Sequence, residues 1–198
     1  VSGSDAKDSS VVIALSALGA TVSTSHNASH VDGADLVVYS TAISANNPER
    51  VRAAELEIPI LTRAAALAVL MSESKSIAVA GTHGKTTTSS MLAVALQACG
   101  ADPSFAIGGT ITASGSNAHR GTGEIFVAEA DESDGSFIEY NPFAAIVTNV
   151  EHDHVDFFPT PESVAQAFRN FVATIKPNGF LTYCADDAGS AALASTTK

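Results

Sequence analysis

Cysteine is scarce in this chain, and basic charge is scarcer than acidic. The 198 residues hold two cysteines, Cys99 and Cys184, far apart in sequence. That excludes a disulfide scaffold, and no Cys–His spacing suggests zinc. Both thiols stand in apolar patterns and are expected to be buried and reduced, as in a cytoplasmic protein. Ten Lys and Arg oppose 21 Asp and Glu, a net charge of −11, which argues against nucleic acid or an anionic membrane as partner. No apolar run approaches the roughly 20 residues of a membrane-spanning helix, and no secretory leader is visible. Membrane insertion is therefore not expected. What is present is a 45% hydrophobic content over a length that suits one large or two small domains.

Helix and strand patterns alternate from the start. Val1–Asp5 reads as a strand ending in a polar turn, with nothing before it, so the chain is expected to be a fragment. Residues 8–18 place Val11, Val12, Leu15 and Leu18 on one helical face that stops at Gly19. Thr21–Ser23 reads as a short strand and 34–39 as a buried one. Asn47-Pro48-Glu49 combines an N-cap, a first-turn proline and a first-turn acid, which starts a helix running to about Leu56. A short strand at Ile60-Leu61 and a helix over 63–71 follow. Such units predict a parallel sheet flanked by helices, an α/β fold. The polar stretch Ser72–Lys75 is the expected boundary, giving a first domain over 1–73 and a second over 74–198. In the second, 85–99 reads as a helix with Met91, Leu92, Ala95 and Leu96 inward. Residues 108–123 read as a polar, ligand-facing loop. Strands over 124–128, 144–148 and 179–184, a helix over 161–175, and a helix start at Asp186-Asp187 complete the pattern.

The most informative stretch is Ile77-Ala-Val-Ala-Gly81-Thr82-His83-Gly84-Lys85-Thr86-Thr87-Thr88. A buried strand, a glycine-flanked loop and a new helix in this order build a cradle for polyphosphate, because loop and first-turn N–H groups converge on one anion. Lys85 is placed to reach the β- and γ-phosphates, and the Thr86 hydroxyl to ligate Mg²⁺. Gly81, Thr82, His83, Gly84 and Thr87 complete the loop. The spacing is shorter than the common phosphate loop, since Val79 stands where that pattern carries glycine. ATP with Mg²⁺ is the expected ligand, and the acidic net charge does not oppose it, because the site is local and the metal screens the phosphates.

Two further strands end in metal-seeking groups. Glu129-Ala-Asp131-Glu132-Ser133-Asp134 follows Ile125–Val127, and ligands in open α/β sheets gather beyond the carboxyl ends of strands. Four acids in six residues repel one another unless a cation or helix-start N–H groups offset the charge; a solvated acidic turn would look the same. Thr148-Asn149-Val-Glu151-His152-Asp153-His154-Val-Asp156 follows Ala145–Val147 and offers ligands for a metal or phosphate. His152 is also compatible with a structural bond to nearby backbone. Hard oxygen donors favour Mg²⁺.

VSGSD, ADLVVYSTAI, NPE, GTHGKTTT, EADESDGSF and TNVEHDHVDFF resemble the Mur ligase family, the ATP-dependent amide-forming enzymes of peptidoglycan synthesis. The likeness covers nearly the whole chain. It is closest to the branch that joins L-alanine to UDP-N-acetylmuramate; His83 and Ser133–Phe137 favour that branch over the muropeptide-recycling one, which is the runner-up. The resemblance implies a partial Rossmann-like domain for the UDP substrate, then a P-loop-type central domain. It also implies that Lys85 holds the β/γ-phosphates, Thr86 and Glu129 the magnesium, and His154 a second magnesium near the acceptor carboxylate, with Asn149 and Asp153 in support. An acyl phosphate of the lactyl carboxylate would then be displaced by the L-alanine amine.

Two departures from the family are visible. No lysine occupies 165–170, where several relatives carry a carbamoylated one, so a carbamate ligand is not expected. The family's glycine-rich diphosphate loop and C-terminal domain would lie before Val1 and after Lys198, so the chain alone is expected to be inactive. A P-loop kinase or NTPase, and a catalytically silent nucleotide-binding module, are the competing readings.

Overall fold

Strand–helix alternation in the first part produces parallel pairing, though not one sheet. The computed structural model describes residues 1–195, which fall into two compact units, Val1–Ala66 and Leu67 onward. In the first, β1 (Ser2–Ser4) pairs in parallel with β2 (Thr21–Ser23), and β3 (Val37–Tyr39) with β4 (Ile60–Thr62), as two separate two-stranded sheets. Val38 on β3 is exposed, so the buried strand expected there is short and only partly covered.

Local signals set the helices of this unit. The Ser9 hydroxyl accepts the Val12 N–H at the start of α1 (Ser10–Ala17), and Gly19 follows its end with a positive φ. The apolar face expected to be buried is not: Val11, Leu15 and Leu18 are exposed, Leu18 to 85%. A sheet of two short strands is too narrow to cover a two-turn helix. The Asn47 carboxamide accepts from the Glu49 and Arg50 N–H groups and starts α2 (Pro48–Glu55) with proline in the first turn, as read. The helix α3 (Arg63–Ser72) runs from the first unit into the second, and Glu73-Ser74 turn it into β5 (Lys75–Ala80).

The second unit is a six-stranded sheet in the order β10-β9-β5-β8-β6-β7. Its members are β5, β6 (Ser104–Ile111), β7 (Ser116–His119), β8 (Ile125–Glu129), β9 (Ala144–Val147) and β10 (Phe180–Tyr183). All pairs are parallel except β6–β7. The helices are α4 (Lys85–Ala98), α5 (Pro161–Ala173) and α6 (Ala188–Ala194). Strand β5 lies at the centre, with Ala78, Val79 and Ala80 wholly buried, as a strand covered on both faces requires. Thr160 and Ser163 form a capping box at the start of α5, whose Val164, Phe168, Phe171 and Val172 face inward. Phe137 stacks on Phe171 at 4.8 Å and meets Phe168 edge-on at 5.4 Å. Each such buried ring contributes about 2–3 kcal/mol. No described helix is long and apolar enough to cross a membrane.

Three expectations are corrected here. The stretch 108–123 is only partly a loop: 108–111 end β6 and 116–119 form β7 of an antiparallel hairpin, with an irregular register between Ala106 and Ile111, while 112–115 and 120–123 are turn and irregular chain. Its polar composition reflects a sheet edge. The inward face of α4 runs through Ser89, Leu92, Ala93 and Leu96, while Met91 is 68% exposed and Ala95 also faces outward. The helix is rotated from the expected face because small Ser89 and Ala93 pack it close against the sheet. Cys99 and Cys184 are free thiols, as expected, but exposed. One caps the end of α4 and the other follows the edge strand β10.

Candidate functional site

From β5 the chain crosses to β6 on one side, returns through β8, and then crosses to β9 and β10 on the other. The carboxyl end of β5 is therefore a point where the strand order reverses, the place where open α/β sheets bind ligands. Val79 pairs with Glu129 on β8 and Ala80 with Val147 on β9. This register sets the GTHGKT loop between the EADESD and TNVEHDH segments.

The loop has no room for a side chain at Gly81. A Cβ at Gly81 (φ +135°) would stand 2.0 Å from Thr148 Oγ1. Gly84 caps α4 in the left-handed region at φ +82°, without a side-chain cap. The N–H groups of the first turn of α4 thus lack intrahelical acceptors and carry the positive end of its dipole. The loop is braced from β9: the His83 N–H donates to Asn149 Oδ1 and Asn149 Nδ2 donates to the His83 carbonyl, both at 2.9 Å. Thr148 Oγ1 donates to the same carbonyl at 2.6 Å. Buried Thr82 donates to the Glu151 carbonyl at 3.1 Å and accepts the Glu151 N–H at 2.9 Å. These bonds fix the loop against the segment that follows β9.

Lys85 Nζ donates to the Gly81 carbonyl at 2.8 Å, to the Thr82 carbonyl at 3.2 Å and to Glu132 Oε2 at 2.8 Å. Thr86 Oγ1 donates to Glu129 Oε1 at 3.0 Å, and the Gly108 N–H donates to Glu129 Oε2 at 2.8 Å. Added Cβ atoms at Gly108 and Gly109 would stand 2.8 Å from Glu129 Oε1 and 2.7 Å from Thr86 Cγ2. His154 Nε2 lies 3.6 Å from Glu132 Oε1. The loop around Lys85, Glu129 and His154 are thus brought to one end of the sheet, linked through Thr86 and Glu132. Thr87 is exposed on the first turn of α4. The His83 imidazole is exposed, 3.9 Å from Glu151.

His154 has a left-handed backbone, φ +52°, a region uncommon for residues other than glycine. Asp153 Oδ1 accepts its N–H at 2.7 Å, and the N–H groups of Phe157 and Phe158 both donate to its carbonyl. The His154 N–H holds the Asp153 carboxyl below its usual range. His152 points elsewhere, bonding the Phe158 carbonyl at 2.9 Å, which is the structural alternative weighed for it.

Glu132 and Gly108 were not legible as site residues. Glu132 is one of four clustered acids, and the signal available was that such a run is offset by a cation or by N–H groups; for Glu132 the positive charge is Lys85. Asp131 and Asp134 are offset by N–H groups, accepting from Ser133 and Ser136.

A separate cavity of about 360 Å³ lies within the first unit, lined by Ser4, His26, His30, Tyr39, Glu49 and Arg50 among others. Glu49 accepts from Ser4 Oγ at 2.7 Å and lies 3.0 Å and 2.8 Å from the Nδ1 atoms of His26 and His30. Burial pushes its carboxyl up, but Ser4, both imidazoles and the Asn27 N–H together hold it below the usual value. The Arg50 guanidinium stands 3.9 Å over the Tyr39 ring.

Residues 79–198 match the Mur ligase middle domain, and residues 1–75 match the Mur ligase family, catalytic domain. UDP-N-acetylmuramate--L-alanine ligase of Nocardioides sp. is 56% identical over 194 residues, 98% of this chain and 44% of that protein. The protein of that name from Saccharopolyspora erythraea is 56% identical over 198 residues, 98% of this chain and 40% of its own length. The chain thus spans less than half of these curated relatives. Among solved structures, the UDP-N-acetylmuramate:L-alanyl-gamma-D-glutamyl-meso-diaminopimelate ligase of Neisseria meningitides aligns with a TM-score of 0.89 at 29% identity, over 100% of this chain and 67% of that one. UDP-N-acetylmuramate-alanine ligase of Thermotoga maritima aligns with a TM-score of 0.86 at 30% identity, over 98% and 45%.

Proposed function

The chain belongs to the Mur ligase family, and from that premise we propose that it is the ATP-binding part of a cytoplasmic ligase joining L-alanine to UDP-N-acetylmuramate. The observation that carries this reading is the end of β5, where Lys85 bonds Glu132 and the adjacent Thr86 bonds Glu129. The identity to L-alanine ligases over 98% of the chain supports the choice of branch.

In this reading Lys85 and the first-turn N–H groups of α4 hold the β- and γ-phosphates. Thr86 and Glu129 hold magnesium; the glycines at 108 and 109 keep that corner free of side chains, and two oxygen donors suit a hard cation. Magnesium, when bound, supplies neutralisation of the phosphate charge. The lactyl carboxylate of UDP-N-acetylmuramate attacks the γ-phosphorus, ADP leaves, and an acyl phosphate forms. The L-alanine amine then attacks the acyl carbon and phosphate leaves. Lys85 and its surrounding dipoles lower the first barrier by offsetting repulsion between two anions. The first unit, with its Ser4–Glu49–Arg50 cavity, contributes to holding the UDP-sugar.

Phosphate release by the whole protein tests the reading. It is expected to require UDP-N-acetylmuramate and L-alanine together. Release from ATP alone at the same rate would make the protein an NTPase. Faster release with an L-alanyl-γ-D-glutamyl-diaminopimelate tripeptide than with L-alanine would move it to the recycling branch, whose Neisseria meningitides structure shares the fold. For the chain itself, Glu129→Ala is expected to lower magnesium-dependent ATP binding in calorimetry; an unchanged magnesium dependence rejects that role.

A further inference from the structure

Among the described residues, Glu132 is the only charged side chain that is fully buried, with 2% of it exposed. Its Oε2 accepts from Lys85 Nζ at 2.8 Å, whereas Oε1 has no hydrogen-bond partner. The backbones of both residues are fixed. The Glu132 carbonyl accepts the Gly135 N–H at 2.8 Å, and the Ala130 N–H donates to the Val79 carbonyl of β5 at 2.8 Å. Gly135, left-handed at φ +70°, lies against Phe157, whose ring a Cβ there would meet at 3.0 Å. On α4, buried Ser89 donates to the Lys85 carbonyl. An ammonium has three N–H groups, and here all are engaged, by the Gly81 and Thr82 carbonyls and by Glu132. A phosphate can therefore bond Lys85 only by taking the place of one of these acceptors.

Which acceptor yields follows from what each would become. Giving up Glu132 leaves a buried carboxylate with neither oxygen bonded, an uncompensated charge inside the fold. Giving up Thr82 breaks the longest of the three bonds, 3.2 Å, and frees a neutral carbonyl. We propose that Glu132 is the positioning residue of Lys85: it keeps its bond when nucleotide binds, and the lysine meets phosphate by exchanging the Thr82 carbonyl. The proposal rests on the nucleotide reading and deepens it. A free lysine side chain has many rotamers to lose on binding, whereas one already held at its ammonium has few. The competing arrangement makes Glu132 a latch that phosphate displaces. It predicts the opposite sign, because loss of the carboxylate would then release Lys85 and tighten nucleotide binding.

Calorimetry with Mg·ATP on the whole protein tests this. Glu132→Gln should weaken binding roughly tenfold, the scale of one hydrogen bond between charged groups. Glu132→Asp keeps the buried charge but shortens its reach by one methylene; it should weaken binding in the same sense and serves if Glu132→Gln fails to fold. With Lys85→Met in place, adding Glu132→Gln should change the remaining affinity by no more than about twofold, because the two residues act as one unit. In steady-state phosphate release, the KM for ATP should rise in Glu132→Gln while the KM for L-alanine stays, a split that general loosening of the fold would not give. Unchanged or tighter Mg·ATP binding in a folded Glu132 variant overturns the proposal, and so does an equal loss with and without Lys85. No Mg·ATP binding by the wild type overturns the nucleotide reading and the positioning role together, whereas binding that the Glu132 variants leave intact overturns the positioning role alone.

Discussion

Lys85 and Glu132, 47 residues apart in sequence, form a charge-assisted hydrogen bond of 2.8 Å at the end of the central strand. The lysine side chain is 13% exposed and the glutamate 2%. Breaking a buried pair from one side strands the other charge at a cost of about 3–5 kcal/mol. Lys85 also donates to the Gly81 and Thr82 carbonyls, so Glu132→Leu should destabilise by less, about 2–3 kcal/mol. Adding Lys85→Met to Glu132→Leu should recover part of that loss. Urea denaturation of both singles and the double gives the coupling; strictly additive losses would mean the pair contributes nothing as a pair.

Gly81→Ala is expected to be far worse than Gly100→Ala. Both glycines have positive φ, at +135° and +79°, but only at Gly81 would the new carbon collide, 2.0 Å from Thr148 Oγ1. Gly100→Ala should cost about 1–2 kcal/mol, the ordinary penalty of that backbone region. Gly81→Ala should exceed about 3 kcal/mol. Equal melting temperatures for the two variants would contradict the tight approach of loop and β9.

Asn149 ties the GTHGKT loop to β9 through two bonds with the His83 backbone. Asn149→Ala removes both without touching Lys85 or Thr86. ATP affinity should fall roughly tenfold, equivalent to about 1.4 kcal/mol, because the loop must then be ordered on binding. Calorimetry checks this, and unchanged affinity would show that the loop is held by Thr82 and Thr148 alone.

Asp187 accepts the Ser190 N–H at 2.7 Å as the cap of α6 and the Val150 N–H at 3.1 Å just after β9. Burial pushes its carboxyl up, but these donors outweigh it and hold the group below its ordinary value. A depressed folded-state pKa contributes stability that is complete above the unfolded value, about 3.9, and is lost as pH falls through the folded one. Asp187→Asn should therefore flatten the acid limb of stability below about pH 4 while changing little at neutral pH, since asparagine also caps helices. Denaturation midpoints between acid and neutral pH measure it; parallel profiles for wild type and variant would rule Asp187 out.

Elements with local signals were readable from the letters. Asn47-Pro48-Glu49 and Pro161-Glu162 announce helices because a first-turn proline and acid stand next to each other in sequence. The GTHGKT loop was readable for the same reason, since strand, glycine turn and helix start are contiguous. Burial was less so: α1 exposes its apolar face, α4 is turned from its expected one, and both cysteines are at the surface. Each of those depends on what lies opposite, which spacing along one segment does not encode.

The order of residues along the chain was enough to establish an α/β protein with a glycine-flanked strand–loop–helix and two carboxylate-bearing strand ends, since these follow from steric and hydrogen-bonding rules acting over a few residues. Folding settled which acid meets the lysine. Glu129 and Glu132 are three positions apart, yet the first accepts from Thr86 and Gly108 while the second is buried against Lys85. Parallel register between β5 and β8, and the turn that follows β8, assign those roles. Such pairings are long-range, and their strength comes from exclusion of water, a property of the assembled core.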